Sequence, residues 1–205
     1  MDIKPENCKS REVYKLLTGI VVPRPIAFVS SKDKNGVHNL APFSFYTAIT
    51  SSPPIIMFAI GERGGTKKDT LNNIESQREF VINVVTEEIA APMNDSSANF
   101  KSEVDEFKEV GLTGVPARKV DCLRVKESPI QLECELENVI PIGDHSHMVL
   151  GRVVHFHIED EYYSGNFKIN VEKLKPLARV SGPNYAKLND FFSLEKSFNS
   201  KKIID

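Results

Sequence analysis

"RPIAFVSSKDKNGVHNLAPFSFYTAITSSPPIIMFAIG", residues 24–61, decides the fold class. Three extended segments rich in β-branched and aromatic residues are separated by turn chemistry. Residues 24–31 end at a loop carrying Asn35-Gly36, a strong tight-turn pair. Residues 36–50 resume extended character, with Pro42 confined to an edge or a bulge and the chain there expected to leave regular pairing. Residues 52–61 follow a proline-marked loop. Further extended segments are read at 79–85, 130–142 and 147–160. Strands arriving early, at short spacing, predict a mainly β protein: a β-barrel with inserted helices.

Helical patterns are few. They fall at 66–77, 86–95, 104–111 and in the first part of the chain, where Ser10 is read as an N-cap and Gly19 as lying beyond the helix end. The 205 residues suit one domain, with a core over about 11–185 and a short polar tail at 193–205. A formal net charge of -2 gives no electrostatic case for nucleic acid or an anionic membrane. No apolar run approaches the length of a membrane helix. The N-terminus is polar from its start, so the cytoplasm is the expected compartment. Cys8, Cys122 and Cys134 are far apart and form no C-x-x-C pair, which reads as three free thiols.

"GERGGTKKDTLNNI", residues 61–74, gathers donors at the mouth of a helix. Thr66 and Asp69 fit the capping pattern T-x-x-D, as N-cap and N3. Free backbone N–H groups and the positive helix end would then meet Arg63, Lys67 and Lys68, with Thr66 and Thr70 hydroxyls nearby. Gly64 and Gly65 permit close backbone approach. The chemistry suits a single phosphate, although a capped helix with a solvated basic face explains the same residues. Neither a nucleotide-triphosphate loop nor a dinucleotide fingerprint fits. A second unusual stretch, "HNLAPFSFYT" at 38–47, sets Asn39 and Ser44 around apolar Ala41, Pro42 and Phe43. It reads as a site for a planar polar ligand or as a proline bulge at a barrel rim.

In order along the chain stand RP-x-A, N-x-APFS, PP, KDT-x-x-NI, EFV-x-N, "SHMVLGRVVHFHI" and "LARVSGPNY". Together they resemble the flavin reductase-like, FMN-binding split-barrel proteins, which include flavoredoxin-type proteins and the reductase components of two-component monooxygenases such as the component B of nitrilotriacetate monooxygenase. The resemblance runs from Arg11 to Tyr185. It implies a six-stranded Greek-key split barrel, a homodimer, and FMN near the subunit interface. By this resemblance Thr66, Lys68, Asp69 and Thr70, with Arg63, cradle the FMN phosphate. Ser30, Asn39, Ala41, Pro42 and Ser44 face the ring and ribityl chain. Asn83 supports the site, and Arg179 lies near the flavin.

His145, His147, His155 and His157 would share one face of a regular strand. No glutamate follows the first H-x-H as a cupin would need, so no metal is expected. The family resemblance links a histidine near the flavin to nicotinamide binding. His147 is the choice, with His145 exchanged for it by a one-residue slip. The function implied is an NAD(P)H-dependent FMN reductase that passes reduced flavin or electrons to a partner, such as a flavin-dependent monooxygenase. The alternative is a flavoredoxin-like carrier reduced by a protein donor. The choice between NADH and NADPH stays open.

Overall fold

The computed structural model describes residues 1–194. The polar tail expected at 193–205 lies almost wholly outside the described residues. The strands are β1 (Ala27–Lys32), β2 (His38–Phe43), β3 (Tyr46–Ser51), β4 (Pro54–Gly61), β5 (Glu79–Val84), β6 (Gly114–Pro116), β7 (Leu123–Val125), β8 (Ile130–Ile142), β9 (Ser146–Ile158), β10 (Leu177–Arg179) and β11 (Tyr185–Lys187). The helices are α1 (Ser10–Ile20), α2 (Asp69–Gln77), α3 (Ala90–Asp95), α4 (Glu106–Glu109) and α5 (Val171–Leu174).

Seven strands form the main antiparallel sheet, in the order β2-β1-β5-β8-β9-β4-β3. β2 and β3 stand at opposite ends of that order, yet only Ser44 and Phe45 separate them in sequence. The Phe45 carbonyl accepts the Ala59 N–H of β4 at 2.8 Å. One bent segment therefore serves both edges, and counting it once gives the six strands of a split barrel. The single strand expected at 36–50 is thus two. Pro42 stays in register opposite Phe28 on the edge strand β2, where its missing N–H faces no neighbour. The chain leaves regular pairing two residues later than expected, at Ser44.

The barrel interior is filled by Phe43, Phe58 and Phe80, with ring centroids 5.4 and 5.5 Å apart, and by Ile60, Leu71, Ile74 and Val149. Phe80 lies against Gly151, where a Cβ would come within 2.4 Å of the Phe80 Cζ. The glycine is what lets the aromatic ring cross the barrel. Leu71 and Ile74, both fully buried, fasten α2 to one end of the barrel. A second cluster of Ile26, Phe28, Leu40, Met93 and Phe107 packs the outer face of β1 and β2 beneath α3 and α4.

Two bulges set which side chains face where. β9 carries one extra residue at Val154, between Val153 opposite Cys134 and His155 opposite Glu133. β8 carries one at Glu137. A bulge inverts the alternation of the strand beyond it. His147 therefore alternates with Val149 and Val153 on the inward set, while His155 and His157 lie outward with Glu133. The expectation that four histidines share a face is overturned by this one inserted residue.

Helix ends also differ from expectation. Lys9, not Ser10, caps α1, and its N–H donates to Glu12 Oε2 at 2.8 Å. Gly19 lies inside that helix. The second and third helical patterns shorten to Ala90–Asp95 and Glu106–Glu109. Strands β6, β7, β10 and β11, three residues each, were too short to leave a period in the sequence.

Candidate functional site

The loop before α2 folds differently from a capping box. Arg63 and Thr66 exchange backbone bonds at 2.9 and 3.0 Å across Gly64 and Gly65, whose φ values are +57° and +76°. Positive φ at both central residues is the requirement of a tight hairpin turn. This turn consumes the Thr66 N–H and carbonyl, so Thr66 cannot cap the helix. Lys68 is the N-cap and Asp69 the first helical residue, not the third. Among the described residues, the N–H groups of Lys68, Asp69 and Thr70 make no hydrogen bond within the chain, as the first turn of a helix leaves them.

These groups border a cavity of about 270 Å³. It is lined by Asn39, Ala41, Pro42, Arg63, Thr66, Lys68, Asp69 and Thr70, so eight of the expected residues converge there. Asn39 Nδ2 donates to Thr70 Oγ1 at 2.9 Å, which leaves the Thr70 proton free to donate. Burial, and Arg63 beside it, hold the Lys68 ammonium below its ordinary pKa. Its Nζ stands 5.5 Å over the Phe43 ring. Lys67 pairs with Glu75 at 2.7 Å, but neither Arg63 nor Lys68 has an ion-pair partner among the described residues. A desolvated, unpaired cation beside free N–H groups is a donor set for an anion.

Two carboxylates share the wall. Asp69 Oδ1 accepts from Ser102 Oγ at 2.9 Å. Glu106 Oε2 accepts the Leu40 N–H at 2.6 Å, and burial pushes its carboxyl up to about 7 against the pull of that bond. Glu106 and the Ser96–Ser102 segment were missed in the sequence. A small polar run carries no spacing that announces it, and Glu106 sits in a plain amphipathic pattern.

A second cavity of about 260 Å³ adjoins the first, for Pro42 and Ser97 line both. Ser44 and Arg179 border it, together with Tyr14, Arg24 and Tyr185. Arg179 Nη2 donates to the Gly182 carbonyl at 2.6 Å, and its guanidinium stacks 4.5 Å from the Tyr185 ring centroid. Arg24, from the RP-x-A block, is buried and donates to the carbonyls of Thr18 at 2.7 Å and Val180 at 2.8 Å. It exchanges backbone bonds with Arg179 at 3.0 and 2.8 Å. Nothing in the RP-x-A block alone signals this role for Arg24. The paired cavities reach the volume range of small-molecule sites only together.

Ser30, Asn83, His145 and His147 line neither cavity. Ser30 is buried and donates to the Leu123 carbonyl at 2.6 Å. Asn83 donates to the Phe28 carbonyl at 3.0 Å and to Ser30 Oγ at 3.2 Å, and accepts the Val125 N–H at 2.8 Å. Both residues are spent on pinning β7 to β1 and β5. His147 Nε2 stands 3.9 Å from Glu62 Oε1, and His145 Nδ1 stands 3.4 Å from Glu62 Oε2. His147 Nδ1 is buried without a partner.

A larger cavity, about 480 Å³, lies elsewhere, between the β6–β7 hairpin and the far end of β9. Arg118, Arg124, Lys126, His155 and His157 border it. It shares no residue with the other two.

The chain and its fold have matches among known proteins. Residues 19–171 match the model of the flavin reductase like domain. The chain is 42% identical over 202 residues to an uncharacterized protein of Halalkalibacterium halodurans, covering 96% of each chain. It is similar to the crystal structure of nitrilotriacetate monooxygenase component B from Bacillus cereus, with TM-score 0.92, 37% identity, and 95% and 98% of the two chains covered. It is similar also to the 2-nitrobenzoate 2-nitroreductase of Pseudomonas fluorescens, with TM-score 0.90, 31% identity, and 98% and 100% covered. With a family match across most of its length and a split barrel of the same build, the chain belongs to the flavin reductase-like family.

Proposed function

We propose that this protein is an FMN-dependent NAD(P)H:flavin oxidoreductase that passes reduced flavin or electrons to a partner, such as a flavin-dependent monooxygenase. The observation that carries the reading is the pair of adjoining cavities with a half-buried, unpaired lysine and free helix N–H groups at one end. Lys68, Arg63, Thr66, Thr70 and the first N–H groups of α2 would hold the FMN phosphate. Asn39 orients the Thr70 hydroxyl toward it. Ala41, Pro42 and Ser44 would border the ribityl chain and ring, with Arg24 fixing the wall that carries Arg179. When bound, FMN supplies the hydride and electron chemistry. The chain's own residues bind, orient and exclude water, and no nucleophile–base pair is required of them.

A second copy of the chain would complete the ring end. Tyr14, Leu17, Ile20, Val21, Phe45 and Ile49 are exposed large apolar side chains; Tyr14 borders the second cavity and contacts Phe45 with ring centroids 6.3 Å apart. An exposed apolar patch beside a ligand groove marks an interface. The homodimer proposed here covers that patch.

One observation favours the flavoredoxin-like carrier instead. Neither His145 nor His147 borders the cavities, so within one chain no histidine stands ready to orient a nicotinamide. The cofactor reading is tested by titrating the protein with FMN and with riboflavin. Tight FMN binding with weak riboflavin binding is the expected result, and equal affinities would remove the phosphate assignment.

A further inference from the structure

We propose that Glu133, His155 and His157 form a site for a divalent transition-metal ion such as Zn²⁺, with an open coordination position facing the 480 Å³ cavity. Glu159 and Asp160 follow the H-x-H at 155 and 157 in sequence, and Glu159 borders the cavity, but the acidic residue grouped with the two imidazoles is neither of these. The register supplies it from the neighbouring strand, for His155 lies directly opposite Glu133. The bulge at Val154 is what brings both imidazoles to the Glu133 side of the sheet.

One ligand atom from each of the three residues lies within 4.8 Å of the others. His157 Nε2 already touches Glu133 Oε1. The two imidazole centroids are 4.6 Å apart, and both rings form part of the cavity wall. A two-histidine, one-carboxylate zinc site has bonds of roughly 2.0–2.2 Å, so the His157 ring would turn away from Glu133 Oε1 to admit the ion.

The carboxylate is held as a metal ligand needs to be held. Glu133 is fully buried and accepts the N–H groups of Arg118 at 2.7 Å, Lys119 at 2.6 Å and Val120 at 3.2 Å. Backbone donors of this kind fix the orientation of a carboxylate and keep it ionised. A plain Glu–His pair would explain His157 but not His155. The His155 ring nitrogens make no hydrogen bond among the described residues, although the ring is turned into the same pocket.

Three cations also border the cavity. Arg124 is tied back, with Nη1 on Gln131 Oε1 at 2.8 Å and Nε on the Pro116 carbonyl at 3.2 Å. Arg118 and Lys126 have no ion-pair partner among the described residues. Their charge opposes a bare dication, but it favours an anion in the open position, either hydroxide or the carboxylate of a small ligand.

The test uses the full chain, stripped with a chelator and then titrated with zinc chloride against a chromophoric competitor. One zinc ion per chain is expected, with a rise in the melting temperature as for any ligand that binds only the folded state. His155→Ala and His157→Gln should each weaken binding by at least about tenfold, the lower end of what loss of a mere supporting residue costs a metal site. Cys8→Ser should bind as the parent does. No zinc uptake by the parent, or unchanged uptake by both histidine variants, overturns the proposal. If neither variant folds, X-ray absorption of the zinc-loaded parent decides. Imidazole and oxygen scattering without sulfur supports the site, and sulfur ligation refutes it.

Discussion

Lys68→Ala isolates the phosphate end of the proposed flavin groove. The lysine is half-buried, unpaired, and borders the cavity beside the free N–H groups of α2. A hydrogen bond between two charged groups contributes about 1.5–3 kcal/mol. Its loss should weaken FMN binding by roughly 10- to 150-fold, since each 1.4 kcal/mol is a factor of ten. Riboflavin lacks the phosphate, so its affinity should change by less than about threefold. The variant also carries an internal control. Burial and Arg63 already disfavour the Lys68 charge, so removing it should leave the melting temperature of the flavin-free protein unchanged or slightly raised. Fluorescence titration with both flavins and a thermal melt of the flavin-free protein measure all three quantities. FMN affinity equal to the parent's would refute the placement of the phosphate. An equal loss for FMN and riboflavin would show that Lys68 acts on the fold of the loop and not on the ligand.

Further outcomes follow from the same geometry. Glu106 has its carboxyl raised from 4.5 to about 7 by burial. Below pH 4.5 both states are protonated and there is no cost; between 4.5 and 7 the unfolded chain releases a proton that the folded chain keeps, so stability falls as pH rises, and above 7 the cost is constant. The shift sets an upper bound of about 3 kcal/mol, which solvent at the cavity mouth screens to on the order of 1–2 kcal/mol. Glu106→Gln should therefore stabilise the protein at pH 8 and have little effect at pH 4, as read from urea midpoints. Gly151→Ala drives a methyl group to 2.4 Å from Phe80 Cζ, and should cost about 1–3 kcal/mol by overpacking in a thermal melt. Ile20→Glu, at a position 74% exposed in one chain, should leave the monomer folded but convert the proposed homodimer to monomer in light scattering, with loss of flavin. Because His147 borders neither cavity within one chain, His147→Ala should slow reduction by nicotinamide on the order of a hundredfold only where a second copy brings that ring to the flavin, with His145→Ala slowing it less; an unchanged rate in both variants makes the histidines structural.

Much of this fold was readable because its signals are local. Asn35-Gly36, the proline-marked loop before Pro54 and the alternating strands between them follow from backbone chemistry that any neighbouring structure must respect. The phosphate-end residues converged for the same reason: Arg63, Thr66, Lys68, Asp69 and Thr70 lie on one loop, and a single turn brings them together. What escaped depends on long-range pairing. Thr66 fits a capping box by spacing, but the Arg63–Thr66 turn claims its backbone first. The inserted residue at Val154 cannot be seen in a strand's own sequence, because a bulge is defined by its partner. Ser30 and Asn83 carry residue types suited to a ligand, yet their donors are taken by Leu123 and Phe28 on other strands. Glu106 acquires its unusual proton affinity only through burial against β2.

The central claim is tested most directly by mixing the FMN-loaded protein anaerobically with NADH and, separately, with NADPH, while following the flavin absorbance. The oxidoreductase reading predicts that at least one nucleotide bleaches the yellow colour, with saturation at high nucleotide concentration. Persistence of the colour with both, in protein that chemical reductant does bleach, would contradict it and leave a flavin carrier that takes its electrons from another protein.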